Sequence, residues 1–280
     1  MKSVIFNADD FGSTSKANHA ILRAHIEGIL TSTSLMINEP FAHHAIQIAR
    51  EHPTLAVGLH LTVSNGVAAT SSTQSPTIVG AEGRFQDDPA RCGIKYFFSR
   101  SARNEIEGEV TAQFEKFAAV GLPWSHVDGH QHLHMHPVVW DAMIHNCEVH
   151  GIRRIRIPYE EWRPVSPGKH VGLRVEWLFF RALRSRCLKS LVGKGFFVAD
   201  RVYGHLETGK MTGEYLRSLL SRVEGRSNEI YFHPGTPHAH QLAGHGEMDV
   251  ELDALIDPKT RETLEELGIR RCTYADMEMK

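Results

Sequence analysis

Short apolar runs that end in acids or histidines, each followed by a stretch of helical period, predict an α/β fold: an irregular (β/α) TIM-like barrel with a parallel sheet, built as a single domain over residues 1–280. Three observations carry this expectation. Val4 to Phe6 is a continuous apolar run, as in a strand buried on both faces. The strand-then-helix unit recurs about eight times along the chain. Polar side chains suited to chemistry fall at the carboxyl ends of the runs, where parallel sheets gather their sites.

In order, Val4–Phe6 leads into Asn7-Ala8-Asp9-Asp10-Phe11-Gly12, and Ser13 to Ser15 offer N-caps for a helix with Ala17, Ala20, Ile21 and Ala24 on one face, ending near Gly28. Ser32–Ile37 reads as a strand, Phe41–His52 as a helix halted before Pro53, and Leu55–Leu59 as a strand running into His60. Val63–Phe98 breaks the rhythm. It is rich in Ser, Thr, Gly and Pro around Ala68–Pro76 and predicts a long loop excursion, over about residues 63–98, across one mouth of the barrel. Beyond it lie a helix at Ser101–Ala119, a strand near Ser125–Val127, a helix at Pro137–His150 and a strand at Ile152–Ile157. The remaining elements are a helix at Leu173–Leu191, a weak strand near Phe196–Tyr203, a helix at Thr212–Val223, a strand at Glu229–Phe232, a helix at Pro258–Leu267 and a last strand at Ile269–Thr273.

Composition sets the outer limits. Lys plus Arg total 31 against 33 for Asp plus Glu, a net charge of −2, so no global field calls for nucleic acid. Cys92, Cys147, Cys187 and Cys272 are widely spaced with no CxxC pair, against a disulfide framework or a thiolate zinc site and in keeping with a reducing cytoplasm. The amino terminus offers three large apolar residues before two acids, too few for a signal-peptide core, and no stretch approaches the ~18 apolar residues of a membrane span. A cytoplasmic protein is expected, with room for peripheral contact at the inner membrane face.

Trp124 to Pro137 concentrates the chemistry. His126, His130, His132, His134 and His136 occupy eleven residues beside Asp128, and neutral imidazole is the commonest metal ligand. The i, i+4 pair His130/His134 can face one point. The plain alternative is a solvated loop that collects metal adventitiously. Against it, Asp9 and Asp10 follow the first strand, His60 the third, His130 the strand holding Val127, Arg156 the Ile152 run and His233 the Tyr231-Phe232 run. All of these emerge on one face. One carboxylate and two imidazoles leave an ion with open positions, as catalytic sites do, and a spare acid nearby can act as a base. The residues alone leave open which of Asp9 and Asp10 takes which role, although neighbours in an extended segment point in opposite directions and can divide the two.

Asn7-Ala8-Asp9-Asp10-Phe11-Gly12, Val57-Gly58-Leu59-His60-Leu61, His126-Val127-Asp128-Gly129-His130-Gln131-His132-Leu133-His134 and Phe232-His233-Pro234-Gly235 resemble the ordered motifs of the YdjC-like carbohydrate deacetylases over nearly the whole chain. Arg156-Ile157-Pro158-Tyr159-Glu160 and Glu229-Ile230-Tyr231-Phe232-His233-Pro234 add a likeness to the hopanoid-biosynthesis-associated branch. The resemblance implies that Asp10, His60 and His130 hold one divalent ion, that Asp9 is the general base and that His233 is the candidate general acid. Arg156 is expected to orient Asp9, with a plain surface ion pair as its alternative. His134 is the expected substitute ligand or substrate contact, while His132 and His136 are expected to lie behind the ligands or in solvent.

The resemblance further implies hydrolysis of an acetamido group on an N-acetylated aminosugar, an oligosaccharide or a lipid-linked sugar such as an N-acetylglucosaminyl hopanoid. Two imidazoles suit Zn2+, and an oxygen-rich remainder suits Mg2+, the ion the resemblance favours. A homodimer is the family-like expectation. The competing function is a metal-dependent phosphoesterase, which commonly needs a second ion and more acidic ligands. A glycosidase would need two carboxylates flanking a bond, which adjacent Asp9 and Asp10 are not placed to supply. A non-catalytic metal-binding protein exploiting 19 histidines is the other alternative, weakened because His43, His44, His145 and His150 fall at helix positions. His238, His240 and His245 read as surface groups of a Gly- and Pro-rich loop. Arg163–Lys194 alternates basic and large apolar residues, which suits an ordinary barrel helix or, alternatively, contact with an anionic membrane surface.

Overall fold

β1, Ser3–Phe11, is buried at all nine of its positions and forms the middle of the sheet. In the computed structural model, which describes residues 2–160, 171–236 and 249–277, the strands run in the order β4 (Val127–Gly129), β3 (Ala56–Leu61), β2 (Ser32–Leu35), β1, β6 (Ser227–Phe232) and β5 (Arg201–Tyr203). Every ladder between them is parallel. β7 (Arg270–Cys272) lies beside the first half of β1, pairing Ser3 with Arg270, whereas β2 takes over the second half, pairing Asn7 with Ser32.

The gap between β4 and β5 is closed by single bridges, Val127 to Ile155 and Arg154 to Phe197, rather than by ladders. The strand expected over Ile152–Ile157 is therefore reduced to bridged backbone, with Arg156 N–H donating to the Val127 carbonyl. Pro158 follows at once and lacks the N–H a longer ladder would use. Seven strands are present among the described residues, against the eight or so units anticipated, and the sheet is an irregular barrel.

Helices α1 (Ser15–Ile26), α2 (Ala42–Glu51), α4 (Arg100–Val120), α5 (Pro137–Val149), α6 (Val171–Leu191), α7 (Gly213–Arg222), α8 (Val250–Ile256) and α9 (Pro258–Glu266) fill the crossovers, with α3 (Pro89–Phe98) inside the excursion. Local chemistry sets their ends. The Thr14 hydroxyl accepts from Ala17 N–H to open α1, Pro137 and Pro258 sit in the first turns of α5 and α9, and Gly121 closes α4 at φ 74°. Their apolar faces join β1 in one core that includes Phe6, Phe11, Phe114, Phe117 and Trp140, each worth about 1.5–3 kcal/mol of burial.

The excursion is tethered rather than loose. Glu109, buried on α4, accepts from Ala69 N–H, Thr70 N–H and the Thr70 hydroxyl; Glu105 accepts from Thr77 and Ile78 N–H; and Glu39 accepts from Val67 N–H. Its last ten residues fold as α3, capped by Asp88. The sequence showed no period there because the anchors are carboxylates on other elements.

Candidate metal centre

The carboxyl ends of β1, β3 and β4 bring Asp10, His60 and His130 together, with one ligand atom from each within 4.8 Å of the others. Asp10 gets there through a departure from the strand. It has φ 63°, beside an irregularity in the β1–β2 pairing between Ala8 and Phe11. The left-handed conformation costs an L-residue roughly 1–2 kcal/mol and aims Asp10 and Asp9 into the same site. The alternation of an extended strand, which the sequence suggested would divide the two acids, is not what separates them.

Asp10 Oδ1 lies 3.0 Å from His130 Nδ1 and 3.6 Å from His60 Nε2, yet it is buried and makes no hydrogen bond. His60 Nδ1 lies 2.7 Å from Asp128 Oδ1. A carboxylate accepts, so Nδ1 carries a proton, which leaves Nε2 as the nitrogen that faces Asp10. Burial opposes a charge on His60, but Asp128, Asp9 and Asp10 together lift its pKa to about 9. Burial likewise works against ionised Asp10, and the surrounding imidazoles of His130, His233 and His60 overcome it, holding that carboxyl far below its usual range.

Arg156 is fully buried and anchors the acids beside the cluster. Its guanidinium grips Asp9 through two bonds, Nη1 to Oδ2 at 2.7 Å and Nη2 to Oδ1 at 2.8 Å. It also meets Asp128 Oδ2 at 2.7 Å and Glu229 Oε1 at 2.6 Å. Tyr274 donates to the other oxygen of Glu229, and Asn7 donates to Asp9 Oδ1 at 2.9 Å. Burial would lower the guanidinium pKa; Asp128, Asp9 and Glu229 raise it well above its ordinary value instead. The surface ion pair considered from the sequence is therefore not what Arg156 forms.

The donor set fits a divalent cation. Asp9, Asp10, Asp128 and Glu229 are four buried carboxylates against the guanidinium of Arg156 and the imidazole of His60, so negative charge is in excess even with that ring protonated. Buried charge is costly unless paired, and the surplus negative charge centres on the unbonded Asp10 oxygen between two imidazole nitrogens. A second group, Asp9, His60 and Asp128, also clusters within 4.8 Å. Arg156 Nη1 is 2.7 Å from both of those acids, so that group already holds its cation. The second ion common in phosphoesterases finds no comparable place there.

His233, just past β6, puts Nε2 3.9 Å from Asp9 Oδ2 and leaves Nδ1 without a hydrogen bond. His134 does not join the cluster. Gln131 and His132 are consecutive left-handed residues, φ 52° and 56°, and this kink breaks the helical turn that would have aligned His134 with His130. His134 is fully buried, with Nε2 3.0 Å from the Arg156 carbonyl; a carbonyl accepts, so that nitrogen donates. Burial lowers its pKa to about 4.

His132 is buried too, with Nε2 3.0 Å from the Tyr231 hydroxyl, and burial together with neighbouring His205 holds its pKa well below the usual range. His136 is half-buried at the start of α5, its pKa lowered to about 4, chiefly by burial. His126 stacks on Tyr274 with ring centres 4.3 Å apart and has Nε2 3.1 Å from the Ser34 hydroxyl. His238, His240 and His245 lie outside the described residues, as do residues 163–170 of the basic segment.

Sequence reasoning passed over Asp128 and Glu229 as working groups, and missed Ser34, which donates to Asp128 at 2.7 Å. The signal for Asp128 was its place at the end of the β4 run. Glu229 was read only as the start of a strand and of a motif, because nothing beside it in the chain shows that its partner is Arg156.

The cluster forms the floor of a cavity of about 950 Å³. Asp9, Asp10, His60, His130, His132 and His233 line its polar end. Ile94, Phe97 and Phe98 of α3 and Phe179, Phe180 and Leu183 of α6 supply its apolar lining, and Ile94, Phe98 and Phe179 are exposed.

A parallel barrel with an Asp-His-His group that could hold a metal ion, beside an acid clamped by arginine at its strand ends, defines an α/β protein with a candidate metal site. The family model described as YdjC-like protein matches residues 3–266, and the chain belongs to that family. It is similar to a carbohydrate deacetylase of Brevibacillus brevis, 30% identical over 277 residues that cover 98% of this chain and 99% of the relative. A carbohydrate deacetylase of Geobacillus stearothermophilus is 31% identical over 276 residues, 97% of this chain and 96% of the relative. A solved structure from Enterococcus faecalis V583, provisionally assigned to cellobiose-phosphate cleavage, shares the fold at TM-score 0.72 and 23% identity, covering 99% of both chains.

Proposed function

We propose that this chain is a carbohydrate N-deacetylase that hydrolyses the acetamido group of an aminosugar with the help of one divalent cation, Mg2+ or Zn2+, held by Asp10, His60 and His130. The observation that carries this is the unbonded Asp10 oxygen between two imidazole nitrogens, in a cavity of about 950 Å³ that Asp9 also lines. The relatives named carbohydrate deacetylases support the reaction class.

A bound divalent ion supplies Lewis-acid polarisation of the acetyl carbonyl and a lowered pKa for the attacking water. Asp9 takes the proton of that water, and Arg156 fixes the carboxylate in one orientation for the transfer. His233, 3.9 Å from Asp9, donates a proton to the amine nitrogen as the C–N bond breaks, so that a neutral amine departs. Asp128 holds the Nδ1–H side of His60 and keeps Nε2 aimed at Asp10, where a bound ion would take the place of the Nε2 proton.

The sugar is proposed to carry an apolar aglycone, such as a hopanoid, seated between α3 and α6. In support, Ile94, Phe98 and Phe179 at the cavity mouth are 62%, 78% and 60% exposed, unusual for large apolar side chains unless something covers them. The same rim would rest against the membrane surface that carries such a lipid, with α6 contributing through exposed Leu178 and Phe179. Acetate release by metal-replete protein from N-acetylglucosamine oligomers and from an N-acetylglucosaminyl lipid tests both parts. Release from the lipid at the higher kcat/KM is expected. Equal rates would remove the apolar aglycone, and release from neither would remove the deacetylase.

A further inference from the structure

Glu251, on α8, is 2% exposed and has no part in the chemistry above. Its carboxylate accepts from the backbone rather than from a side-chain cation. Oε2 takes the His233 N–H at 2.5 Å and Oε1 takes the Gly209 N–H at 2.6 Å, with Met211 N–H a further donor. One buried acid thereby spans the loop that leaves β5 and the turn that leaves β6.

The turn itself is held at several points. Asp249 Oδ2 accepts from Gly235 N–H at 2.5 Å, and the Thr236 hydroxyl donates to the His233 carbonyl at 2.9 Å. Gly235, at φ 75°, presses against α1 so closely that a Cβ would lie 2.7 Å from the Lys16 carbonyl oxygen. A charged acceptor on a short N–H bond is stronger than a neutral one, and losing it would leave a buried donor unpaired. Displacements of about 1 Å are enough to cost a well-aligned proton transfer on the order of 100-fold.

We propose that Glu251 is a positioning residue for His233, fixing the backbone from which the imidazole reaches the departing amine and tying it to the β5 loop. The inference rests on the assignment of His233 as the proton donor. Glu251→Gln keeps the shape but can accept with one atom only, so one of the two loops loses its anchor.

The test is a double-mutant cycle on metal-loaded, full-length protein, with the turned-over N-acetylglucosamine compound as substrate. Glu251→Gln is expected to lower kcat by roughly tenfold with KM and metal content unchanged, and to change kcat less than twofold when added to His233→Ala, because the group it positions is gone. An equal fractional loss in both backgrounds would mean a general structural effect and overturn the proposal. Full kcat in Glu251→Gln beside a crippled His233→Ala would overturn it alone, whereas full kcat in His233→Ala would overturn the proton-donor assignment and this inference together. Should the variant not fold, the wild-type protein decides: the His233 amide proton is expected far downfield and among the slowest to exchange, and a rapidly exchanging amide would overturn the proposal.

Discussion

Asp128 decides which nitrogen of His60 faces Asp10: with Oδ1 2.7 Å from Nδ1, it takes the proton-bearing side of the ring and turns Nε2 towards the carboxylate 3.6 Å away. A change confined to Asp128 should therefore act at a distance from itself. Asp128→Asn can donate as well as accept and no longer enforces that tautomer. Metal affinity is expected to fall about 10–100-fold, as when carboxylate partners of ligating histidines are removed elsewhere. Titration calorimetry with Zn2+ and Mg2+ measures it, and an unchanged affinity would count against His60 as a ligand.

Asp9→Asn removes the proposed base but spares Asp10, His60 and His130. A fall in kcat of about 10²–10⁴ is expected, with the bound ion retained at one per chain. Elemental analysis beside the acetate assay separates the two. Loss of the ion together with activity would mean that Asp9 helps to hold it.

Arg156→Ala would leave Asp9, Asp128 and Glu229 buried around a missing cation. Removing one partner of such a network is expected to cost about 3–5 kcal/mol, far more than a surface ion pair. Urea unfolding reads this directly, and a loss below about 1 kcal/mol would show that the network relaxes.

The buried histidines predict acid lability. His134, with its pKa lowered from the ordinary 6.5 to about 4 by burial, refuses a proton that the unfolded chain accepts. Its stabilising contribution is whole above pH 6.5, declines as pH falls from 6.5 towards 4, and levels off below. The full effect is on the order of 3 kcal/mol. Urea midpoints followed over this range, with chelator present throughout to hold the metal constant, should lose part of their slope in His134→Gln. An identical slope would assign the lability to other groups.

At the cavity mouth, Ile94→Ser with Phe98→Ser should raise KM for an N-acetylglucosaminyl lipid by roughly tenfold or more, given about 1.5–3 kcal/mol for each buried apolar side chain. Rates on soluble N-acetylglucosamine oligomers should stay within twofold. Parallel losses on both substrates would place these residues in the fold rather than in recognition.

The chain itself determined the βα alternation, the gathering of a site at the carboxyl ends of the sheet, and the residues Asp9, Asp10, His60, His130, Arg156 and His233 that build it. Those features are local: an apolar run, a polar exit and a helical period each show within a dozen residues. Tertiary structure alone decided that Asp10 turns through a left-handed bend, that Gln131 and His132 swing His134 out of line with His130, and that Arg156 is gripped by acids from β1, β4 and β6. The partners of the Glu229 and Glu251 carboxylates could not be read in the sequence for the same reason. A buried charge is tolerated only for the partners that folding brings to it, and here those partners come from distant elements: Arg156 for Glu229, and the N–H groups of Gly209 and His233 for Glu251.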